Sequence, residues 1–310
     1  MDALPEFLAC PLCRGPLSEG DGAVSCGSCG ERFPRGEHGF LEFEESGGGA
    51  RETGPRLEAY ACHQESAGGR RFRDYLFPFA TVEPALRVLD VGCGVGLTPA
   101  LFAEQRFDAY GVDLPKAARF WAEAGRDPRR LFCADAAALP FADRSFDLVL
   151  SLGVVEHIGT VTGHCTLASD YRARRRAYAR ELVRVARSGG RVLLSCPNKS
   201  FPVDVHHGPG DAASSPGCAR ALLSGRLGLN VHRTWGKYHL LSYPEVERLF
   251  LGAGATSVTA LPLAGFFSFQ GLRSGQLRSL VGVASWYLEH LPAALRATPL
   301  NPFVLVQVRV

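Results

Sequence analysis

Four cysteines near the amino terminus have the spacing of a metal site. They form two C-x-x-C pairs with twelve residues between them: Cys10, Cys13, Cys26 and Cys29. Each pair places two thiolates on one tight turn, and two such turns supply the four tetrahedral ligands that zinc prefers. Four thiolates leave no open coordination position, so we predict a structural zinc rather than a catalytic one. The alternative is four buried thiols without a metal.

A second group of informative residues follows short apolar segments. Asp90 lies at the end of one such segment, and a glycine-rich turn with Gly92 and Gly94 comes directly after it. A turn of this kind presents a ligand to the start of the next helix. Asp113 ends the next apolar segment, where its carboxylate is placed to accept both hydroxyls of a ribose, and Asp135 follows a third. Alone, these two residues would be a turn acid and a helix cap.

Histidines are the candidates for proton transfer, because imidazole titrates near neutral pH. His157 follows Glu156 just after the fourth predicted strand, and His206 and His207 lie in the long segment after the fifth. We predict that one of these three accepts a proton where the substrate offers a hydroxyl or an ammonium group. Two alternatives stay open: ordinary hydrogen-bonded histidines, or a second metal held by the Glu156-His157 and His206-His207 pairs.

The arginine-rich stretch between residues 172 and 180 is a candidate for phosphate binding. Its members are Arg172, Arg174, Arg175, Arg176 and Arg180. Tyrosines and Glu181 lie among and after them on a predicted helix, so we interpret the stretch as a solvated helix face. The whole chain has 34 basic and 31 acidic residues, and this even balance gives no indication of nucleic-acid binding.

The composition predicts a soluble globular protein. A chain of 310 residues with 46% hydrophobic and 10% aromatic residues can bury a large core, which excludes disorder. Its apolar stretches are shorter than the roughly 18 residues that a membrane-spanning helix needs, so we expect no membrane association. We also expect no secretory signal, because no basic leader precedes an apolar segment. Ten cysteines in such a chain indicate a reducing compartment, and we predict a cytoplasmic protein.

Short apolar segments alternate with helical ones between residues 86 and 195, which predicts a parallel sheet with helices on both faces. Residues 181–187 are expected to form a helix that Gly189 and Gly190 terminate, and residues 191–195 the fifth strand. Residues 256–261 and 303–310 supply two more strands. In the cysteine-rich segment, residues 23–25 and 31–33 are expected to form a strand and its return.

The motifs VLDVGCGVG, YGVDL, CADAAALPFADRSFDLVLS, VVEHI and ELVRVARSGGRVLLS occur in this order in the chain. Together they resemble the class I S-adenosylmethionine-dependent methyltransferases of type 11, over roughly residues 85–200. The cysteine-rich segment resembles the small zinc-ribbon proteins that activate methyltransferases, and the zinc ribbon of a ribosomal-RNA guanine methyltransferase. The resemblance implies a Rossmann-like α/β fold with a mixed seven-stranded sheet, in which the last two strands form a reversed pair, plus a small zinc ribbon.

The resemblance also implies which residues would contact S-adenosylmethionine. The glycine loop leaves room for the methionine end, Asp113 holds the ribose, and Leu114 packs on the adenine. The residues after the third strand meet the adenine amino edge, and those at the end of the fourth lie under the sulfonium and the methionine amino group. The full set is Asp90, Gly92, Gly94, Asp113, Leu114, Asp135, Ala136, Ser151 and Leu152.

We predict a zinc ribbon at residues 1–46 and a methyltransferase domain at residues 51–310, with lid insertions near 197–242 and 262–302. Aromatic residues of the segment before the first strand of this domain either cover the sulfonium or pack the domain: Tyr60, Phe72, Tyr75 and Phe77. A helical apolar stripe in the second insertion is expected to pack core or lid.

The predicted activity is methyl transfer to an O, N or C atom of a small molecule, such as an intermediate of a biosynthetic pathway. One alternative is an RNA base methyltransferase that uses the ribbon to recognise RNA. The fourth strand ends in Ser-Leu-Gly-Val-Val-Glu-His rather than in the Pro-Pro-aromatic type that grips exocyclic amino groups, which disfavours it. A second alternative is a non-catalytic protein that binds the cofactor and docks a partner through the ribbon.

Overall fold

The computed structural model of the chain describes residues 4–20, 22–44, 55–83, 86–161, 166–204, 207, 230–266, 282–283 and 286–310. The chain divides into two compact units. The first comprises Met1–Leu150, Glu181–Val192 and Val310, and the second comprises Ser151–Arg180 and Leu193–Arg309. Within the described ranges, every helix is too short or too polar to span a lipid bilayer.

The first unit begins with a three-stranded antiparallel sheet, formed by β1 (Leu17–Gly20), β2 (Ala23–Cys26) and β3 (Arg32–Pro34). Strand β2 is central, because it pairs with both neighbours. The strand and return predicted at residues 23–25 and 31–33 are confirmed to within one residue. Val24 and Phe33 are its buried apolar side chains, and so small a core requires further cross-linking.

The same unit continues into a parallel sheet. Helix α1 (Pro55–Arg71), a π-helical turn (Phe72–Leu76) and α2 (Phe77–Val82) precede it, and α3 (Leu97–Glu104) and α4 (Ala118–Glu123) connect its strands. The strands are β5 (Arg87–Val91), β6 (Asp108–Asp113), β7 (Leu131–Cys133) and β8 (Phe146–Leu152). Strand β5 pairs in parallel with β6 and β8, and β6 with β7. Their interior residues are apolar and buried, as strands covered on both faces require.

The cysteine-rich segment adds a strand to this sheet. Strand β4 (Leu41–Glu42) pairs in parallel with β7, with Leu41 opposite Phe132 and Glu42 opposite Cys133. The sheet therefore has eight strands, in the order β12-β13-β9-β8-β5-β6-β7-β4, and the predicted number of seven is wrong by this strand. The physical reason is that β7 would otherwise be an edge with unpaired N–H and C=O groups. The Phe43 N–H donates to the Cys133 carbonyl at 2.7 Å.

The glycine pair does not end the helix as predicted. Helix α5 (Tyr171–Val185) ends before Ala186, and strand β9 (Ala186–Pro197) contains both Gly189 and Gly190. Two amides of an adjacent loop take over the last helical carbonyls: the Arg144 N–H donates to Arg184 O, and the Ser145 N–H to Val185 O, each at 2.8 Å. Gly189 adopts a φ of 74° and donates its N–H to Val310 O. The glycines therefore shape a strand end that pairs with the last residue.

The second unit contains the two remaining main-sheet strands, β12 (Ser257–Ala260) and β13 (Phe303–Arg309), which pair antiparallel. Strand β13 also runs antiparallel to β9, since Gly189 bonds Val310 and Asn198 bonds Pro302. This confirms the predicted mixed sheet with a reversed pair. Helix α6 (Tyr243–Leu251) precedes β12. The Ser242 N–H, before its first turn, donates to the Glu245 carboxylate at 2.8 Å, which fixes the start of the helix.

Parts of the two predicted lid insertions are described. The first contains a separate two-stranded antiparallel sheet, formed by β10 (Val203–Asp204) and β11 (Asn230–Val231). In the second insertion, Leu288 and Leu291 are buried. The other members of its predicted apolar stripe lie outside the described residues: Leu277, Leu280, Val281 and Ala284. The boundaries of the predicted domains and insertions stay predictions.

Candidate active site

The four cysteines of the amino-terminal segment lie together in the fold. Their four Sγ atoms are within 4.8 Å of one another. Cys10 Sγ and Cys29 Sγ are 3.7 Å apart, and Cys13 Sγ and Cys26 Sγ are 3.4 Å apart. Four sulfurs about 2.3 Å from a tetrahedral zinc would be separated by roughly 3.8 Å. The donor set and the spacing of these sulfurs therefore fit zinc.

Backbone amides favour the thiolate form of one of these cysteines. The N–H groups of Ser28 and Cys29 donate to Cys26 Sγ at 3.4 and 3.5 Å. The amide of Cys29 is the main cause that lowers the pKa of Cys26 to about 6. Metal ligation needs the thiolate, so the second turn already has a deprotonated ligand at neutral pH.

The cysteine-rich segment packs on the first unit through an aromatic and an ionic contact. The Phe7 ring makes edge contacts with the rings of Tyr110 and Phe146, at centroid distances of 4.8 and 5.4 Å. Arg14 donates to Glu181 Oε1 at 2.8 Å and to the Leu139 carbonyl at 3.0 Å. With the β4–β7 pairing, these contacts make the segment part of the first unit's core rather than an appendage.

Glu181 is the buried centre of the ionic contact. Arg184 donates to both of its carboxylate oxygens, at 2.9 and 2.8 Å, and the Leu139 N–H donates to Oε2 at 2.8 Å. Buried carboxylates are stable only when they are fully paired. Sequence reasoning missed this role of Glu181 and Arg14, because 167 residues separate them in the chain.

The glycine loop after β5 is fixed by the end of β6. Gly92, Gly94 and Gly96 have φ values of 80°, 55° and 71°, which only glycine adopts without strain. The Gly94 N–H donates to Asp113 Oδ2 at 2.7 Å, and the indole N–H of Trp121 donates to the Gly94 carbonyl at 2.7 Å. Two of the predicted residues, Gly94 and Asp113, are thus in direct contact.

Helix α1 contacts the same loop through Gln64. The Val95 N–H donates to Gln64 Oε1 at 3.0 Å. A Cβ on Gly94 would lie 2.0 Å from that oxygen, so a side chain here would displace Gln64 from the loop. Sequence reasoning missed Gln64 and pointed to aromatic residues instead. Of those, Phe72 packs edge-on against Phe102 at 4.8 Å, which supports the packing interpretation for Phe72.

Of the two acids at the strand ends, Asp90 is buried and Asp113 is half-buried. Burial raises the pKa of Asp90 to about 7, with a further contribution from the charge of Asp113. Burial also raises the pKa of Asp113, although the amides of Gly94 and Leu114 oppose the shift. Leu114, by contrast, is 39% exposed beside Asp113. An apolar side chain next to a hydrogen-bonding carboxylate is the combination that binds a nucleoside.

Asp135 accepts a backbone amide in a turn, and the helix cap that was its alternative interpretation is wrong because residues 136–140 form no helix. Its Oδ1 accepts the Ala137 N–H at 2.8 Å, and Ala136 lies within that turn. Glu44, two residues after β4, lies near enough for the charge of Asp135 to raise its pKa, although burial is the larger cause. Glu44 Oε2 is buried without a hydrogen-bond partner among the described residues. Sequence reasoning missed Glu44 because it assigned the segment to the ribbon alone.

The remaining two residues of the predicted cofactor set end β8. Ser151 is fully buried, and its Oγ accepts the Tyr178 hydroxyl at 2.7 Å. Leu152 is half-buried. The Gly153 N–H donates to the Ser195 carbonyl at 2.9 Å, which links the end of β8 to β9.

Two of the three predicted catalytic histidines lie side by side in the second unit. His157 Nε2 and His207 Nε2 are 3.4 Å apart. His207 Nδ1 is 2.8 Å from Asp204 Oδ2, and the His207 N–H donates to Asp204 Oδ1 at 3.0 Å. His206 lies outside the described residues. Sequence reasoning missed Asp204, which orients the His207 ring.

Two further residues, Glu156 and His239, lie beside these histidines. Glu156 is fully buried, and burial raises its pKa to about 7. The ring of His239, also fully buried, lies 5.3 Å from the His207 ring. The ligand atoms of Glu156, His157 and His207 lie within 4.8 Å of one another, as do those of Asp204, His207 and His239.

The arginine-rich stretch is only partly the solvated helix face that the sequence predicts. Arg172, Arg174, Arg176 and Arg180 are exposed, but Arg175 is 7% exposed. Its guanidinium donates to the carbonyls of Ile158, Glu156 and His239. The solvated-face interpretation is therefore wrong for Arg175, because the elements that carry Glu156 and His239 have carbonyls that need a buried donor.

Comparison with known proteins gives two family matches. Residues 89–194 match the family described as "Methyltransferase domain", and residues 2–34 match the family described as "Trm112p-like protein". A methyltransferase-family protein of Encephalitozoon cuniculi is 35% identical over 128 residues, which is 40% of this chain and 49% of that protein. Ajmaline N-methyltransferase of Rauvolfia serpentina is 31% identical over 126 residues, or 38% of each chain. The matched part thus spans half or less of these relatives.

Among solved structures, the complex between the Haloferax volcanii Trm112 methyltransferase activator and a methyltransferase is similar, with a TM-score of 0.43 and 15% identity. The match covers 82% of this chain and 95% of that one.

Proposed function

We propose that this chain, which carries a methyltransferase domain and a Trm112p-like segment, transfers a methyl group from S-adenosylmethionine to a small molecule. The observation that carries the proposal is the glycine loop fixed to Asp113, with Leu114 exposed beside it. The residues present fit an adenosyl group, since the glycine loop after β5 meets a carboxylate and an apolar side chain at the end of the neighbouring strand β6.

S-adenosylmethionine supplies an electrophilic methyl group on a sulfonium. On the donor side, we assign Asp113 to the ribose hydroxyls and Leu114 to the adenine face. Asp135 and the Ala136 backbone are assigned to the adenine amino edge. Asp90, Gly92 and Gly94 form the methionine end, and Ser151 and Leu152 are assigned to the sulfonium side. The protein contributes chiefly alignment, which alone supplies about 7–11 kcal/mol in such displacements.

On the acceptor side, we assign the proton-handling role to His157 and His207. Asp204 fixes the ring of His207 through Nδ1, so its Nε2 is the atom available to a substrate hydroxyl. His206 is retained as the third candidate of the same segment. This arrangement favours an acceptor whose methylated atom carries a proton, such as a hydroxyl or an ammonium group.

The four cysteines are proposed to hold a structural zinc at Cys10, Cys13, Cys26 and Cys29. Their sulfur separations and the lowered pKa of Cys26 support it. We propose that the segment acts within the chain, because β4 and Arg14 contact the methyltransferase domain directly. No disulfide joins the eight described cysteines, and we propose the cytoplasmic location expected from the sequence.

The test is transfer of a labelled methyl group. The purified protein is incubated with tritiated S-adenosylmethionine and, separately, with hydroxylated or aminated small molecules and with total RNA. We expect label in the small-molecule fraction, and roughly 10- to 100-fold less of it with Asp113→Ala at a limiting concentration of the cofactor. Label in RNA would instead support the alternative of an RNA base methyltransferase. Cofactor binding without transfer to any acceptor would support the non-catalytic alternative.

A further inference from the structure

We propose that Glu156, His157 and His207 form a binding site for a divalent transition-metal ion, separate from the four-cysteine cluster. One carboxylate and two imidazoles, from segments 50 residues apart, bring ligand atoms within 4.8 Å of one another. A mixed nitrogen and oxygen donor set of this kind suits zinc, iron, cobalt or manganese more than magnesium or calcium.

The separation of the two histidine nitrogens supports a shared cation. Two nitrogens about 2.0–2.1 Å from a tetrahedral metal lie roughly 3.4 Å apart, and His157 Nε2 and His207 Nε2 are 3.4 Å apart. Their rings are nearly perpendicular, with an interplanar angle of 84° and centroids 5.1 Å apart. The two rings are therefore not stacked, and it is their Nε2 atoms that approach each other.

The tautomer of His207 is fixed by Asp204. A carboxylate 2.8 Å from Nδ1 keeps the proton on that nitrogen, so the lone pair lies on Nε2, the nitrogen that faces His157. Metal-binding histidines commonly have such a carboxylate on the second nitrogen. Asp204 is itself held in place, because it accepts the His207 N–H. It is a positioning residue in this proposal.

Glu156 supplies the charge that a cation would compensate. Its two carboxylate oxygens are buried without a hydrogen-bond partner among the described residues. A buried, unbonded carboxylate is costly unless it is neutralised. Arg175 donates to the Glu156 backbone carbonyl rather than to its side chain, so it positions the segment and leaves the carboxylate for another partner.

Three protein ligands leave at least one coordination position open, as in catalytic rather than structural metal sites. Where the proposed function holds, that position would take an oxygen of the methyl acceptor, and the two histidines would then act on the acceptor through the ion rather than as bases themselves. Coordination lowers the pKa of a bound oxygen acid. The substrate class would then be molecules with a hydroxyl, phenol or enol that can bind a metal.

The experiment counts metal ions per chain with Co²⁺ as the probe, on protein whose ribbon is already loaded with zinc. We expect the wild-type chain to bind one Co²⁺ with the absorption of imidazole and carboxylate ligands and no thiolate charge-transfer band. His157→Ala and His207→Ala should lose this equivalent, while the exposed His290→Ala should keep it. A wild-type chain that binds no Co²⁺, or one that binds it equally in all variants, would overturn the proposal.

Asp204→Asn is the second variant, since an alanine ligand variant could fail to fold. A lost orienting carboxylate typically weakens metal affinity 10- to 100-fold, so we expect that decrease in Co²⁺ affinity with circular dichroism unchanged. Unchanged affinity would contradict the positioning of His207. Titration with S-adenosylhomocysteine separates this proposal from the proposed function. Binding without Co²⁺ uptake refutes only the metal site, whereas absence of cofactor binding refutes the methyltransferase assignment.

Discussion

The chain has two candidate metal sites, the four-cysteine cluster and the Glu156 cluster, which consists of Glu156, His157 and His207. The two sites are built in opposite ways. The cysteines come from one short segment, and two of them, Cys13 and Cys29, are exposed. In the Glu156 cluster, Glu156 is buried and the two histidines are half-buried, and the ligands lie about 50 positions apart in the chain. A buried arginine and an orienting carboxylate contact its members.

This difference predicts that a metal plays different roles in the two sites. The strands β1–β3 of the ribbon bury few apolar side chains of their own, so their fold depends on the metal. The Glu156 cluster is held by surrounding packing, so it should stay folded whether or not an ion is present. The predictions below test this contrast, beginning with the largest expected effect.

Loss of a ribbon ligand should have the largest effect. Structural zinc contributes about 10–16 kcal/mol to folding in small ribbons, so Cys26→Ser should lose zinc and unfold β1–β3 locally. Hydrogen exchange with mass spectrometry should then show loss of amide protection in β1–β3. The exposed Cys62→Ser is the control and should keep both zinc and protection. Full protection in a zinc-free Cys26→Ser chain would contradict the dependence on metal.

Docking of the ribbon should depend on Glu181. Glu181→Ala leaves Arg14 and Arg184 without their shared carboxylate, and removing one partner of a buried ion pair costs about 3–5 kcal/mol. Urea denaturation measures the change in the free energy of unfolding. Glu19→Ala, which removes the partner of Arg35 in a more exposed pair, should cost at most about 1 kcal/mol. Equal losses of free energy of unfolding in both variants would show that the buried Glu181 contact stabilises the fold no more than an exposed ion pair does.

Asp90 should make the stability of the first unit depend on pH. Its pKa is raised to about 7, so the folded state keeps the proton while the unfolded chain loses it near pH 3.8. The raised pKa therefore stabilises the folded state fully below pH 3.8. This stabilisation falls by about 1.4 kcal/mol for each pH unit above that value and is lost once the pH has risen through 7.

Asp90→Asn removes that titration, so the variant should gain stability relative to wild type between pH 5 and pH 8. Urea denaturation at the two pH values gives the difference, and Asp108→Asn on the partly exposed end of β6 serves as the control. If Asp90→Asn and wild type differ in free energy of unfolding by the same amount at pH 5 and at pH 8, the pKa of Asp90 is not raised.

Arg175 should matter to the second unit far more than its neighbour Arg174. Arg175→Ala removes three donated hydrogen bonds, and we expect a loss of about 2–3 kcal/mol in the free energy of unfolding. Arg174, paired with Asp170 at the surface, should contribute at most about 0.5 kcal/mol when changed to alanine. Similar losses for the two variants would restore the solvated-face interpretation of this helix.

The contrast between the clusters also explains what the sequence could predict. The ribbon cysteines and the glycine loop are local patterns, in which residue type and spacing over 20 residues determine the geometry. The parallel strands were predictable for the same reason, since each is a short apolar run between helical segments. Residues such as Asp113 and Gly94 are separated by 19 positions and meet because their strands are adjacent.

Contacts between distant segments were not predictable from one sequence. Arg14 with Glu181, Gln64 with Val95, and Arg175 with His239 carry no local pattern that marks them. Strand β4 is only two residues long, so its pairing with β7 left no periodicity to detect. The end of α5 was mispredicted because a glycine pair usually terminates a helix, whereas here it serves the pairing of β9 with the last residue.

The most direct test of the methyltransferase assignment is calorimetric titration with S-adenosylhomocysteine. We expect one site per chain, and a 10- to 100-fold loss of affinity in Asp113→Ala, as for a charge-assisted hydrogen bond of about 1.5–3 kcal/mol. Asp108→Ala, at the opposite end of β6, should bind as tightly as wild type. Equal affinity of Asp113→Ala and wild type, or no binding by either, would contradict the account.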